Sequence, residues 1–524
     1  MTFEQDRAAC LEQYLREPPA SSLEGLRDNL YQAYLRIKTE DPVHVETGCE
    51  LLRQAQWGPC PYSGIPAVQL LTECGGLLPP DVRELLLAFL QEGREQWMAE
   101  LGKGACNSFR LLAAGSLLGC GLLLEDREAG RAGEDALTWM EAHLEGYDLP
   151  DEFLSPFYTG LQLSALAAIQ ALPVTADCGD CAARLEEFIW RGVLCHFQPG
   201  IPELAGPYSR GYTSELVGHF QIISACVLRL LGDEAGFTLR DTLWNPDYSG
   251  RILPHGTVEN MRCYALYFSS FAYHCREDEL TAWRNRVYPF RAKERAHTAA
   301  AWDISIKEAV PAGLPCDYPE GDVRICSVQE DGFSMGWADR EFENGMACSS
   351  PHMLYLRNGQ AKTCFLKLVR AEDRYIGEMN DYPNLNLRMG ASNFPDDGRK
   401  YVEAEGDALR VTYRPRKFLR GASSMKLDGI FPTHFSLPDG VWVGERRVER
   451  WDGTERFPLE LAAVRDGNWE FTFQPLDARG FWRIVHRNQF LNVEWVQEAD
   501  FDSLCWTLLV RRKRLGVDQR MAGL

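Results

Sequence analysis

A chain of 524 residues exceeds what one hydrophobic core ordinarily organises, which predicts at least two domains. Hydrophobic residues at 45% and charged residues at 25% are the proportions of a globular protein and exclude extended low-complexity structure. The formal net charge of -20 excludes the basic surface that nucleic acid or anionic lipid would require, so an anionic substrate would need a local cluster of Arg, Lys or Asn in a pocket.

The opening stretch "MTFEQDRAACLEQYLREPP" has no basic segment leading into an apolar one, and no run approaches the roughly 20 apolar residues of a membrane span. With 17 cysteines at scattered positions, the expectation is a cytoplasmic protein with free thiols and no membrane partner. The one close pair, Cys178 and Cys181 in "CGDC", has no second ligand pair nearby and reads as a loop with two thiols.

Up to about residue 290 apolar residues recur at helical spacing between breaks such as "WGPCPYSGIP" and "FQPGIPELAGP". The spacing predicts helices near 24–39, 81–100, 107–125, 131–146, 157–171, 181–196 and 258–276. "SELVGHFQIISACVLRLLG" predicts another, with Leu216, Phe220, Ile223, Val227 and Leu230 on one face, Thr213 or Ser214 as N-cap and Gly232 as C-cap. Many of these segments are apolar nearly all round, as buried helices in two layers are.

After about residue 295 the pattern turns to short alternating runs such as "DVRICSV", "MLYLRNG", "ALRVTYRP" and "NWEFTFQPL", separated by "EDG", "RNG", "WDG" and "RDG". No helices interleave them, which predicts antiparallel sheets in a sandwich. The chain is therefore expected to be an α+β multidomain protein: a helical domain over 1–295 and an antiparallel β domain over 296–524.

Three helix starts concentrate polar residues ahead of an apolar body: Asn107 and Arg110 in the first; Tyr208, Arg210, Tyr212, Glu215 and His219 in the second; His255, Glu259, Asn260 and Arg262 in the third. Helices alternating outward and inward around a ring would bring these starts to one face, where free N–H groups and dipole ends favour an anion. Each residue also has a plain structural use. Asn107 can cap, Arg110 can pair with an acid, Glu215 and His219 form an i,i+4 pair, and His255 and Asn260 can decorate turns. Capping does not explain two tyrosines flanking an arginine in a Gly/Pro loop. The set suits β-elimination from a uronic acid, in which Asn and Arg neutralise the carboxylate while Tyr or His moves the protons. A nearby Arg would stabilise the Tyr208 phenolate.

"CNSFRLLAAGSLLGCGLLL" and "GPYSRGYTSELVGHF", taken with the domain order, resemble the heparinase II/III-like polysaccharide lyases. The resemblance implies an N-terminal (α/α) toroid, incomplete or of six hairpins, followed by an antiparallel β-sandwich. It also implies that Asn107 neutralises the carboxylate, that Tyr208 or Tyr212 is the catalytic tyrosine, and that the substrate is a uronate-containing oligosaccharide. Where family members often place a histidine beside that Asn, this chain has Ser108 and Phe109. In place of a His-x-His-x-Asp stretch it has His352 alone.

Two other readings stand beside this one: a glycoside hydrolase using two of Glu215, Glu259 and Asp151, and a non-catalytic carbohydrate-binding protein. No motif calls for a nucleotide or other organic cofactor. A divalent metal near His352, His434 or His486 stays open, as does a homo-oligomer.

Overall fold

The computed structural model describes residues 1–20, 25–58, 60–102, 108–209, 220–246, 257–298, 321–340, 351–370, 398–415, 424–434, 436–476, 479–487, 489–498 and 506–516. They form two compact units, Met1–Cys195 with Phe220–Arg286, and His196–His219 with Val287–Leu524.

The first unit is helical: α1 Phe3–Arg16, α2 Leu26–Ile37, α3 Pro42–Gln54, α4 Gly64–Glu73, α5 Pro80–Leu101, α6 Ser108–Leu123, α7 Arg127–His143, α8 Tyr158–Ala171, α9 Ala176–His196, α10 Ile222–Leu231, α11 Val258–Phe268 and α12 Glu277–Arg284. Six of them pack in sequence, α2 on α4, α4 on α6, α6 on α8, α8 on α10 and α10 on α11, and α11 packs back on α2. The described helices thus close into an inner ring. Against its outside lie α3 on α2, α5 and α7 on α6, and α1 on α11. This is the expected toroid. The inner helices are buried nearly all round; in α2 every residue but Asn29 is buried. Close approach within the ring depends on glycine. A Cβ on Gly119 of α6 would lie 2.2 Å from Val68 of α4, and one on Gly160 of α8 would lie 2.4 Å from Ile222 of α10.

Several helix boundaries differ from the sequence reading. The helix expected to start near Ser214 begins at Ile222 among the described residues, where the backbone N–H of Gln221 donates to Ser224 Oγ at 2.9 Å. Phe220 therefore precedes it, while Gly232 closes it as expected at φ 56°. Thr213, Ser214 and Leu216 lie outside the described residues. The "CGDC" pair lies within α9, not in a loop, and both thiols are buried and free. α4 starts inside a stretch read as a break, because Pro66 falls in its first turn, where no N–H donor is lost. The helix expected over 258–276 ends at Phe268.

The second unit is antiparallel throughout. Its strands are β1 Phe290–Thr298, β2 Gly321–Glu330, β3 Phe333–Ala338, β4 His352–Arg357, β5 Gln360–Arg370, β6 Gly398–Glu405, β7 Ala408–Pro415, β8 Met425–Pro432, β9 Gly440–Val443, β10 Arg446–Arg447, β11 Ala462–Asp466, β12 Trp469–Pro475, β13 Phe481–Arg487, β14 Phe490–Gln497 and β15 Trp506–Arg514. β1 begins ahead of residue 296, where the change of texture placed the second domain. One sheet runs β1-β2-β3-β4-β5-β8-β14-β13 and the other β10-β9-β11-β12-β15-β7-β6. They face each other across one core, in which Phe333 of the first meets Trp469 of the second and Tyr355 meets Phe471, each at 4.9 Å between ring centroids. The "RNG" turn joins β4 to β5 with Asn358 at φ 52° and Gly359 at φ 81°, the left-handed pair a tight hairpin needs.

Candidate functional site

The starts of the inner helices meet. At the first turn of α2, Arg27 and Asp28 are buried. The Tyr264 hydroxyl of α11 donates to Asp28 Oδ1 and accepts from Arg27 Nη2 at 3.1 Å, so one phenol links a cation to an anion. Asn260, in the first turn of α11, donates to Asp28 Oδ2 at 3.4 Å while its Oδ1 accepts from the Thr257 backbone N–H and hydroxyl at 3.2 and 2.9 Å. Asn260 is thus both a cap and a ligand of Asp28.

The Arg27 guanidinium lies among aromatic rings, 4.9 Å from the Tyr62 centroid and 5.4 Å from those of Phe157 and Tyr264. Rings carry the contact onward: Tyr62 to Phe109 at 5.4 Å and Phe109 to Tyr158 at 6.5 Å. These residues stand just ahead of or inside the first turns of α4, α6 and α8, and Tyr62 and Phe109 are the half-buried ones among them.

Glu152, fully buried, accepts from the backbone N–H of Ser108 at 2.8 Å and from Gln162 Nε2 at 3.2 Å. A carboxylate from the segment before α8 therefore caps the start of α6. The Ile223 N–H at the start of α10 reaches Pro156 O at 3.0 Å. The result is a floor of helix ends and aromatic faces with one arginine at its centre. The buried hydroxyls of Ser108 and Thr159 and the Gln162 Oε1 have no hydrogen-bond partner among the described residues, which leaves polar capacity at the same end.

Of the residues singled out in the sequence, Asn260 belongs to this floor. Arg110 does not: its guanidinium stacks 3.8 Å from the Trp139 ring of α7 and donates to Leu101 O. Arg262 also points elsewhere, donating to Leu243 O at 3.0 Å and lying 5.3 Å from the Trp244 ring. Asn107, Arg210, Tyr212, Glu215, His219 and His255 lie outside the described residues. Of the carboxylates considered for hydrolysis, Asp151 is buried and faces His143 Nε2 at 3.2 Å, and Glu259 is exposed in the first turn of α11.

Sequence reasoning missed Arg27, Asp28, Tyr62, Glu152 and Tyr264. Arg27 and Asp28 are charged and adjacent in the first turn of a helix, which reads equally well as ordinary first-turn polarity, so the sequence alone did not single them out.

Tyr208 belongs to the second unit and is fully buried. Its hydroxyl donates to Leu204 O at 3.0 Å and lies 3.5 Å from Glu203 Oε2. Its ring meets the His352 imidazole edge-on at 5.1 Å. The loop carrying Tyr208 approaches β3 so closely that a Cβ on Gly336 would lie 1.3 Å from Gly206 O, which makes that glycine obligatory. His196 Nε2 and Glu294 Oε2, 2.6 Å apart and buried, fasten the start of the same loop to β1.

His352 Nε2 pairs with Thr363 Oγ1 at 2.8 Å, and burial pushes the ring down from 6.5 to about 3. Between those values the unfolded chain takes up a proton that the native ring refuses, so this group's share of stability is lost as pH falls from 6.5 towards 3. A His352→Gln variant should therefore lose unfolding free energy less steeply over that window, by up to about 1.4 kcal/mol per pH unit, as urea titrations at each pH would measure. His434 and His486 are not gathered with His352 into a metal ligand set among the described residues.

A family profile described as a domain of unknown function (DUF8769) matches residues 117–249, from within α6 to beyond α10. No curated protein matches the chain. Among solved structures it is similar to a chondroitin AC lyase of Streptomyces coelicolor A3 in complex with chondroitin sulphate. The identity is 11%, with 99% of this chain and 80% of that chain covered and a TM-score of 0.42. It is also similar to a heparinase III at 10% identity, with 93% and 76% covered and a TM-score of 0.39. Similarity at these values assigns no role to any residue of this chain.

Proposed function

We propose that the protein is a lyase that cleaves uronate-containing oligosaccharides by β-elimination. The observation that carries the reading is the meeting of the inner helix starts around Arg27, with the half-buried rings of Tyr62 and Phe109 beside it. Helix N-termini favour a carboxylate, and aromatic faces favour the apolar side of a sugar ring.

In the reaction a base removes the proton from C5, the electron pair forms the C4–C5 double bond, and the C4–O bond breaks as an acid protonates the leaving oxygen. Neutralising the carboxylate makes the C5 proton acidic enough to leave, and this is the role proposed for Asn107 and Arg210, with Asn260 and Asp28 holding the floor in register. Tyr208, Tyr212 and His219 are the candidates for proton transfer. The Tyr208 hydroxyl is buried and committed to Leu204 O, which favours Tyr212 as the group that meets the sugar and gives Tyr208 a positioning role.

The product chemistry tests the reading against hydrolysis. On uronate oligosaccharides, mass spectrometry should find one fragment of each pair lighter by one water than the hydrolytic product. Fragments of full hydrolytic mass would assign the site to a glycoside hydrolase, and intact substrate would leave only carbohydrate binding.

A further inference from the structure

A second cleft lies on the outside of the helical unit, between the last turns of α7 with the segment after it and the middle of α9, with a volume of about 460 Å3. On α9 its wall includes Arg184, Phe188 and Arg191, spaced so that all three share one helix face, with Leu185 beside them. The opposite wall carries Glu141, Glu145 and Tyr147. Phe188 and Tyr147 are half-buried and present ring surface to the cleft.

The two arginines differ in state. Arg184 is held by Glu141, its Nη2 at 3.0 Å from one carboxylate oxygen, and the pair holds the Glu141 carboxyl below its ordinary range. Arg191 stacks on Phe188 at 5.4 Å and has no carboxylate partner among the described residues. The cleft therefore offers aromatic surface, one planar cation with unused donors, and an exposed carboxylate, Glu145, that can accept from hydroxyls.

We infer that this cleft is a second saccharide-binding site, which takes a uronate ring with its apolar face on Phe188 and Tyr147 and its carboxylate on Arg191. The volume lies within the range of small-ligand sites. The choice of a uronate rests on the elimination reading; the stacking surface does not. Such a site, apart from the helix starts, would retain a long substrate between cleavages.

The test uses the full chain, galacturonate and glucuronate tetrasaccharides as probes and cellotetraose as the neutral control, with calorimetric titration and product detection run together. Wild type should bind the acidic probes at more than one site. The Phe188→Ala/Arg191→Ala double variant, altered only on an outer helix face, should lose one of them, its affinity falling roughly tenfold or more while turnover of the tetrasaccharides is unchanged. Arg191→Lys, which keeps the charge but not the fork, should fall between.

Unchanged stoichiometry in the double variant alongside product formation would overturn the cleft and leave the lyase reading standing. Loss of a site in a protein that forms no product would do the reverse. Absence of both binding and product would overturn both, and equal binding of cellotetraose would overturn the role given to Arg191.

Discussion

Asp28→Ala should lower the stability of the helical unit by roughly 3–5 kcal/mol, read as a fall in its urea midpoint, and abolish turnover. Asp28 is 1% exposed and accepts from Tyr264 and Asn260, and through the Tyr264 hydroxyl it is linked to the buried guanidinium of Arg27. Removing the carboxylate takes a buried acceptor away from the Tyr264 and Asn260 donors and a buried anion from beside the Arg27–Tyr264 pair. Tyr264→Phe keeps both charges and removes only the link, so it should cost less, about 1–3 kcal/mol. Equal losses for the two variants would mean that the Tyr264 hydroxyl link, rather than the Asp28 charge, accounts for the cost.

Asp466→Ala should have a comparable effect in the β unit, again roughly 3–5 kcal/mol. Asp466 is fully buried and faces Lys362 Nζ at 2.8 Å, Arg357 Nη1 at 2.6 Å and the Tyr355 hydroxyl at 2.7 Å. It joins the β4–β5 hairpin of one sheet to the end of β11 in the other. Burial holds Lys362 below its ordinary range even against the pull of Asp466, so an orphaned Lys362 would tend to lose its proton. A Lys362→Met/Asp466→Asn double variant removes one charge of each sign together and should recover much of the loss. The urea midpoint of the β unit measures both.

The architecture was legible because it rests on periodicity. Apolar runs at helical spacing ahead of alternating runs with Asn-Gly and Asp-Gly turns state the class and order of elements, and even "RNG" delivered its left-handed pair at Asn358 and Gly359. Boundaries were harder. Ser214 followed by Glu215 reads as a capped first turn and lies outside the described residues, among which the helix starts at Ile222. At α4, Pro66 reads as a breaker although it occupies the one part of a helix that tolerates it.

The site was less legible, because its residues are joined by ring closure and not by sequence. Arg27 meets Tyr264 across 237 positions and Glu152 caps a helix that starts 44 positions earlier. Arg110 and Arg262 looked like ligand arginines by their position near helix starts, but each lies over a neighbouring tryptophan ring, Trp139 and Trp244.

The most direct measurement is ultraviolet absorbance during incubation of the wild-type chain with uronate oligosaccharides, run beside Tyr212→Phe, Tyr208→Phe and Asn107→Ala. Elimination creates a conjugated C4–C5 double bond, so absorbance should rise with wild type. It should be lost with Tyr212→Phe and Asn107→Ala while their urea midpoints hold, and fall only in part with Tyr208→Phe. New reducing ends without new absorbance would contradict β-elimination outright.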